Sequence, residues 1–286
     1  MNLTVIFNGA CLVFGLQSIF LVEANAEMEN PSPTPATATS GEQTSAEELD
    51  RPGEVENPFV LSPGTVQIVS YVLAANAKGR ENEDLGTGGS AVLLQAGVRF
   101  GLCRSLEGQI FADTYLSATD NGPSGGVPDH AAAGLGFLTL RAKVQMSGNS
   151  TSEDGFALVP FLRFPVNKGL TGQRGAEPGL TVPIDMDLDH GLEVQGSTDI
   201  AIGHGDDGRR DTDWETQASL EWHITRTWSV YLEPEVDAGE GRPRWALEQG
   251  INLLLRNHLQ LDLGFNTGVA GNAKAHFGYL GMGTTF

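Results

Sequence analysis

From Trp214 to Val236 apolar and polar residues alternate with almost no interruption. Trp214, Thr216, Ala218, Leu220, Trp222 and Ile224 fall on one side, and Glu215, Gln217, Ser219, Glu221 and His223 on the other. After Thr225-Arg226-Thr227 the alternation resumes, with Trp228, Val230, Leu232, Pro234 and Val236 against Ser229, Tyr231, Glu233, Glu235 and Asp237. A period of two marks strands with one face in an apolar medium and the other in water. This stretch therefore predicts a hairpin. Each strand, at about 10 residues, is long enough to cross a bilayer at a tilt. Tryptophans stand at both ends of the pair, with Trp222 and Trp228 flanking the tight turn and Trp214 at the far end, where membrane barrels carry their aromatic girdles. A soluble sandwich buries tryptophan as well, so the hairpin alone leaves both media open.

The same pattern predicts about twelve strands from Thr65 onward. They are Thr65 to Asn76, Ser90 to Phe100, Leu106 to Ser117, Leu138 to Met146, Phe156 to Val166, Leu180 to Leu188, Leu192 to Ile202, the two of the hairpin, Trp245 to Leu253, Leu259 to Asn266 and His276 to Phe286. In the third, Leu106, Ile110, Ala112 and Leu116 oppose Glu107, Gln109, Asp113 and Tyr115. Connections around Leu102 to Ser105, Asp189 to Gly191, Thr225 to Thr227 and Arg256 to His258 are tight. Those around Ala77 to Gly89, Ala118 to His130, Asn167 to Gly179 and Gly203 to Asp213 are long and rich in Gly, Asp and Asn. Short turns at one end and long loops at the other are the habit of outer-membrane barrels, and an even strand count puts both ends of the barrel on the short-turn side.

Residues 1–26 are largely apolar and close on Ala24-Asn25-Ala26, so they read as a secretory signal peptide, although Met1-Asn2-Leu3-Thr4 lacks the usual basic charge. Residues 27–50 hold six acidic residues and no basic one among Pro, Ser, Thr and Ala, the composition of a disordered periplasmic linker. The remainder, 51–286, is the barrel. No later stretch is apolar enough for a membrane-spanning helix, so any spanning structure is a closed barrel. Cys103 is the one cysteine after the signal, which leaves no internal disulfide and no thiolate metal site. A formal charge of -19 on 286 residues excludes nucleic acid as a partner.

If the apolar faces meet lipid, the other faces line the lumen. That set comprises Glu107, Asp113, Asp185, Asp187, Glu193, Asp199, Glu215, Glu221, Glu233, Glu235 and Asp262, against Arg99, Arg141, Lys143 and Arg163. Such a lumen is acidic, with its bases gathered on strands two to five, and favours cations over anions. Trp214, Trp222, Trp228 and Trp245 are the interfacial aromatics. Phe286, an aromatic residue closing the last strand, resembles the terminal phenylalanine of bacterial outer-membrane barrels, and that resemblance implies an assembly signal for the barrel-assembly machinery. Two tempting constellations fail on spacing. Asp185-Met-Asp-Leu-Asp189-His-Gly191 departs from a calcium loop at its Gly and its closing Glu. Ser219, Glu221 and His223 share a face, but neighbours two apart on a strand stand about 7 Å apart, too far for a nucleophile and its base. No cofactor, metal or catalytic group is expected.

The segments Asp50-Arg51-Pro52-Gly53, Glu56-Asn57-Pro58-Phe59, Pro63-Gly64-Thr65-Val66-Gln67, Gly97-Val98-Arg99-Phe100-Gly101-Leu102 and Leu259-Gln260-Leu261-Asp262 resemble the outer-membrane transporters grouped as "MetA-pathway of phenol degradation". The resemblance covers about Arg51 to Phe286. It implies a bacterial outer-membrane channel, often for uptake of aromatic or other hydrophobic compounds, with lipid, the assembly machinery and a small solute as partners. It carries over no functional residues. The alternative is a non-conducting structural or adhesive barrel that acts through its long loops, and a loop such as Asn167 to Gly179 is a candidate to fold inward and plug the pore.

Overall fold

A computed structural model describes residues 55–77, 89–120, 130–148, 154–171, 175–188, 190–204, 210–238, 243–256, 258–270 and 275–286. The regions expected to be signal peptide and linker lie outside the described residues. Thirteen β-segments follow one another: β1 Val66–Ala77, β2 Gly89–Cys103, β3 Leu106–Asp120, β4 His130–Gly134, β5 Phe137–Ser147, β6 Asp154–Pro165, β7 Glu177–Asp187, β8 Leu192–His204, β9 Arg210–His223, β10 Trp228–Asp237, β11 Arg244–Arg256, β12 Leu259–Ala270 and β13 Ala275–Thr285. Each pairs antiparallel with its neighbour in sequence, except that β3 pairs with both β4 and β5. Because β4 and β5 share that one partner they form a single broken strand, and the barrel has twelve. It closes where β1 lies along β13 from Gln67↔Thr285 to Ala77↔Ala275, and Val66 and Phe286 exchange backbone hydrogen bonds of 3.2 and 2.8 Å at the foot of that seam.

Burial is inverted relative to a water-soluble protein. Among the described residues, twenty buried side chains are polar or charged and eight are apolar, whereas Ile68, Val98, Ile110, Leu140, Ile184, Ile200, Leu220, Leu232, Leu280 and Met282 are all exposed. Alternation produces this directly: in a closed sheet one face of every strand looks inward, and here that face is the polar one. The outer surface is the apolar one.

Two local features depart from simple alternation. β3 carries a bulge opposite the step from Leu94 to Gln95, so Asp113 pairs with Gln95 and Tyr115 with Leu94, leaving Thr114 over. The extra residue shifts the phase by one. Tyr115, expected on the polar face, stands on the outside at 42% exposure, and Leu116, expected outside, pairs with Leu93 on the inner face. Directly across, the strand breaks at Leu135-Gly136, where Gly136 N and Phe137 N donate to Asp113 O and Asp113 Oδ2 at 3.1 and 3.0 Å. Residues 130–134, expected to lie in or beside a loop, are strand for this reason. The strands also run further than expected at the long-loop end, as in β9, which begins at Arg210, and β12, which ends at Ala270.

Candidate functional site

The residues just before β1 turn back into the barrel. Ser62-Pro63-Gly64-Thr65 closes a turn in which Thr65 N donates to Ser62 O at 3.0 Å and Gly64 has φ +89°. Proline at the second position and a positive-φ glycine at the third are what a type II turn requires. Gly64 N then donates to Gly101 O at 2.9 Å, and Gly101 N to Thr65 O at 3.0 Å, which fastens the turn to the end of β2. A side chain at Gly101 has no room: its Cβ would sit 2.1 Å from Ser62 O.

From this latch Val55–Leu61 climbs the inner wall made by β2, β3, β5 and β6. Leu61 N donates to Glu107 Oε2 at 2.8 Å and Val60 N to Gln145 Oε1 at 3.2 Å. The Phe59 ring packs against Gly155 of β6. Lys143 Nζ donates to the carbonyls of Asn57 and Phe59 at 2.8 and 3.3 Å. Above it the Glu56 carboxylate is gripped by Arg141 at 2.6 Å, Lys143 at 3.0 Å and the Gln109 amide at 3.0 Å. Val55, Asn57 and Leu61 are buried. Gly64 and Thr65 bond to the backbone of β2 at Gly101, whereas the contacts described for residues 56–61 are with side chains of the wall.

Beneath the segment Arg99 is 1% exposed, and forms an ion pair of 2.6 Å with Glu107 and a hydrogen bond of 2.6 Å to Gln67 Oε1. Burial opposes the charge on Glu56, but Arg141, Lys143 and Arg99 outweigh it and hold that carboxyl well below the usual carboxylate range. Arg141 lies 5.7 Å from the Phe111 ring centre. Arg163 sits 4.7 Å from that of Phe137 and pairs with Glu177 at 2.5 Å. This wall is therefore basic, aromatic and occupied.

The wall across from it, β8 to β12, is acidic. Cross-strand register sets Glu193 opposite Glu221, Asp199 opposite Glu215, Glu215 opposite Asp237, and Glu233 opposite Glu248. Glu221, Glu233, Glu248 and Asp262 are buried on the inner face. Hydroxyls and amides temper the crowding: Ser229 Oγ and Asn252 Nδ2 donate to Glu221, and Asn266 Nδ2 to Glu235 at 3.1 Å. Tyr231 and Tyr279 meet through their hydroxyls beside Asp262.

Of the residues expected in the lumen, Asp113, Lys143, Asp185, Glu221, Glu233 and Asp262 are buried, and Arg141, Arg163, Asp199 and Glu235 are half-buried. Asp187 is exposed at the short-turn end of β7. The structure brings Arg141 and Lys143 together around Glu56 and leaves the acidic residues spread over six strands, β3, β7, β8, β9, β10 and β12. Asp185 accepts from Gln195 at 3.2 Å, and the turn beyond it is made by His190 and Gly191 with φ of 59° and 74°. Ser219 Oγ has no hydrogen-bond partner, while His223 bonds Glu193 at 3.0 Å, so these residues do not form a nucleophile and base pair. Glu193, Glu221 and His223 each bring a ligand atom within 4.8 Å of the others, an approach the histidine–carboxylate bond accounts for. Trp214, Trp222 and Trp245 are about half exposed on the outer face, and Trp228 is half-buried. Glu56 and Asn57 were legible as part of a distinctive segment but not as partners of β5. Two buried bases on one wall, short of acids from their own strands, are the signal that could have pointed to them.

The fold resembles that of solved outer-membrane proteins. An outer membrane channel from Pseudomonas putida F1 superposes with a TM-score of 0.64 at 15% identity, covering 84% of this chain and 100% of that one. The KdgM porin solved in complex with disordered oligogalacturonate gives 0.51 at 6% identity over 77% and 99%. The transport unit of the autotransporter AIDA-I from Escherichia coli gives 0.51 at 12% over 78% and 90%. No curated protein matches the sequence. A closed barrel with an apolar exterior and a polar interior belongs in the bacterial outer membrane, where only such a barrel satisfies every strand's backbone. The family model described as "Putative MetA-pathway of phenol degradation" matches residues 49–286, and the chain belongs to that family.

Proposed function

We propose that the barrel is a passive outer-membrane channel for small solutes of hydrophobic or aromatic character, closed at rest by its own Val55–Thr65 segment. The observation that carries this reading is how the segment is held. Beyond the turn that bonds Gly64 and Thr65 to Gly101 of β2, the contacts described come from side chains of the barrel wall, so Val55–Leu61 can leave without breaking the sheet. With the segment gone, the acidic wall of β8 to β12 would line the path, and such a surface concentrates cations. The similarity of fold to an outer membrane channel supports the same reading. In it the inward charged residues line the lumen, the tryptophans mark the two interfaces, and Phe286 is the residue the barrel-assembly machinery reads.

Planar-bilayer recording tests this on full-length protein whose folding is verified by heat-modifiable gel mobility. Wild type is expected to give small, infrequent, cation-selective steps. Gly101→Val, which drives a side chain into the Ser62 carbonyl, is expected to give larger and steadier ones. Silence from both folded proteins would overturn the channel and favour a structural barrel.

A further inference from the structure

The cage around Glu56 is a carboxylate-binding site made entirely by the barrel wall. Arg141 and Lys143 come from β5 and Gln109 from β3, and together they place three donors on one carboxylate within 2.6 to 3.0 Å. That carboxylate belongs to a side chain of a segment that is not one of the barrel's strands, and its three donors all come from the wall, so nothing in the cage itself requires its occupant to be covalently linked. The two sides of the cage differ in access. Lys143 is wholly buried beneath the segment, whereas the Arg141 and Glu56 side chains retain 18% and 11% of their accessibility. Approach is therefore from the Arg141 side. There the Phe111 ring lies under the guanidinium, and Phe161, the cross-strand partner of Arg141, lies beside it on the inner face. An aliphatic acid reaching this position would gain the charge contacts alone. A planar aryl acid would also gain stacking on the guanidinium and ring contacts with the phenylalanines.

Resting on the reading that Val55–Thr65 closes the channel, we propose that the Arg141, Lys143 and Gln109 cage is a binding site for aromatic carboxylates, and that such a ligand opens the channel by replacing the carboxylate of Glu56. Occupancy is exclusive. Two carboxylates cannot share the same three donors, so binding of the free acid and docking of the segment oppose each other and are linked by one coupling constant. The ligand thereby releases the segment that closes the passage.

The test uses sodium benzoate as the probe, with benzyl alcohol as its uncharged counterpart and acetate as its ring-free one, on full-length protein refolded in detergent. Val55, buried in the docked segment, is replaced by cysteine in a C103S background, and the rate of maleimide labelling reports release. Benzoate is expected to raise that rate about fivefold or more in a saturable manner, with little response to benzyl alcohol and a weaker one to acetate. Benzoate affinity is measured separately by ligand NMR line broadening. It should rise several-fold in Glu56→Gln, where the internal competitor is gone, and fall below detection in Arg141→Gln. A merely structural Glu56 would not make its neutral variant bind the ligand more tightly. Unchanged labelling in wild type together with no gain of affinity in Glu56→Gln would overturn the proposal. An equal response to benzyl alcohol would overturn the carboxylate assignment. Labelling that responds while bilayers stay silent would support the site and overturn the channel, whereas conducting channels indifferent to benzoate would do the reverse.

Discussion

The two walls of the lumen handle the same problem, charge inside a barrel, in opposite ways. On β2 to β7 opposite charges face one another across the sheet, Lys143 against Glu107 and Arg163 against Glu177, and Glu56 from the docked segment meets Arg141 and Lys143. On β8 to β11 like charges face one another, Glu193 against Glu221 and Glu233 against Glu248. Opposite pairs across a sheet are each worth about 0.2 to 1 kcal/mol, and like pairs cost similar amounts. One wall therefore sets acid against base and takes a further carboxylate from the docked segment, while the other sets acid against acid. On the proposed reading, the first wall holds the segment and the second is left to the solute.

The largest expected break in this contrast is Lys143→Met. It removes the ammonium that bridges Glu56, Asn57 and Phe59 and leaves carboxylates uncompensated in a buried site, at a cost of about 3 to 5 kcal/mol. The segment should undock, read as protease sensitivity of residues 55–65 with the barrel's heat-modifiable mobility retained. A protected segment would mean that the turn alone suffices.

Acid gives an intermediate effect. The docked Glu56 carboxyl titrates below its free value of about 4.3, so docking is at full strength above that pH and is lost as the pH falls beneath it, by up to about 1.4 kcal/mol per unit. Arg141 and Lys143 from β5, Gln109 from β3 and Arg99 from β2 face this group. Protease sensitivity should be flat from pH 7 to 5 and rise below 4, and Glu56→Gln should reduce that slope.

The smallest effect sharpens the other wall. Glu233→Gln relieves the repulsion with Glu248, so urea unfolding should show a gain of about 0.2 to 1 kcal/mol, and reversal potentials should show a weaker preference for cations. A loss of stability would mean that Glu233 is held by favourable contacts rather than tolerated.

Much of this was legible in the sequence because a closed sheet translates alternation directly into inside and outside. The hairpin from Trp214 to Val236 could be sorted residue by residue, and Trp222 and Leu232 stand exposed as their parity requires. What could not be read was anything that alters the phase or joins distant segments. The bulge at Thr114 swaps Tyr115 with Leu116, yet nothing local distinguishes Asp113-Thr114-Tyr115 from a regular strand. The break at Leu135-Gly136 lies beside the bulge in β3, where Gly136 and Phe137 donate to Asp113. The docking of Asn57 on Lys143 spans 86 positions, and its partners are ordinary strand residues until the segment is laid across them. Pro63-Gly64 is a turn-forming pair by composition, but nothing local gives the direction in which it sends the chain.

That turn also fixes a concentration. Because Gly64 and Gly101 tether the segment a few residues from its cage, Glu56 competes for Arg141 as though it were dissolved in the lumen at millimolar strength or above, the usual value for a short flexible link. On the proposed competition, a free solute of equal intrinsic affinity must reach that level at the cage before it displaces the Glu56 carboxylate. Shortening or lengthening the few residues between Glu56 and Pro63 would reset this threshold without altering a single contact in the cage.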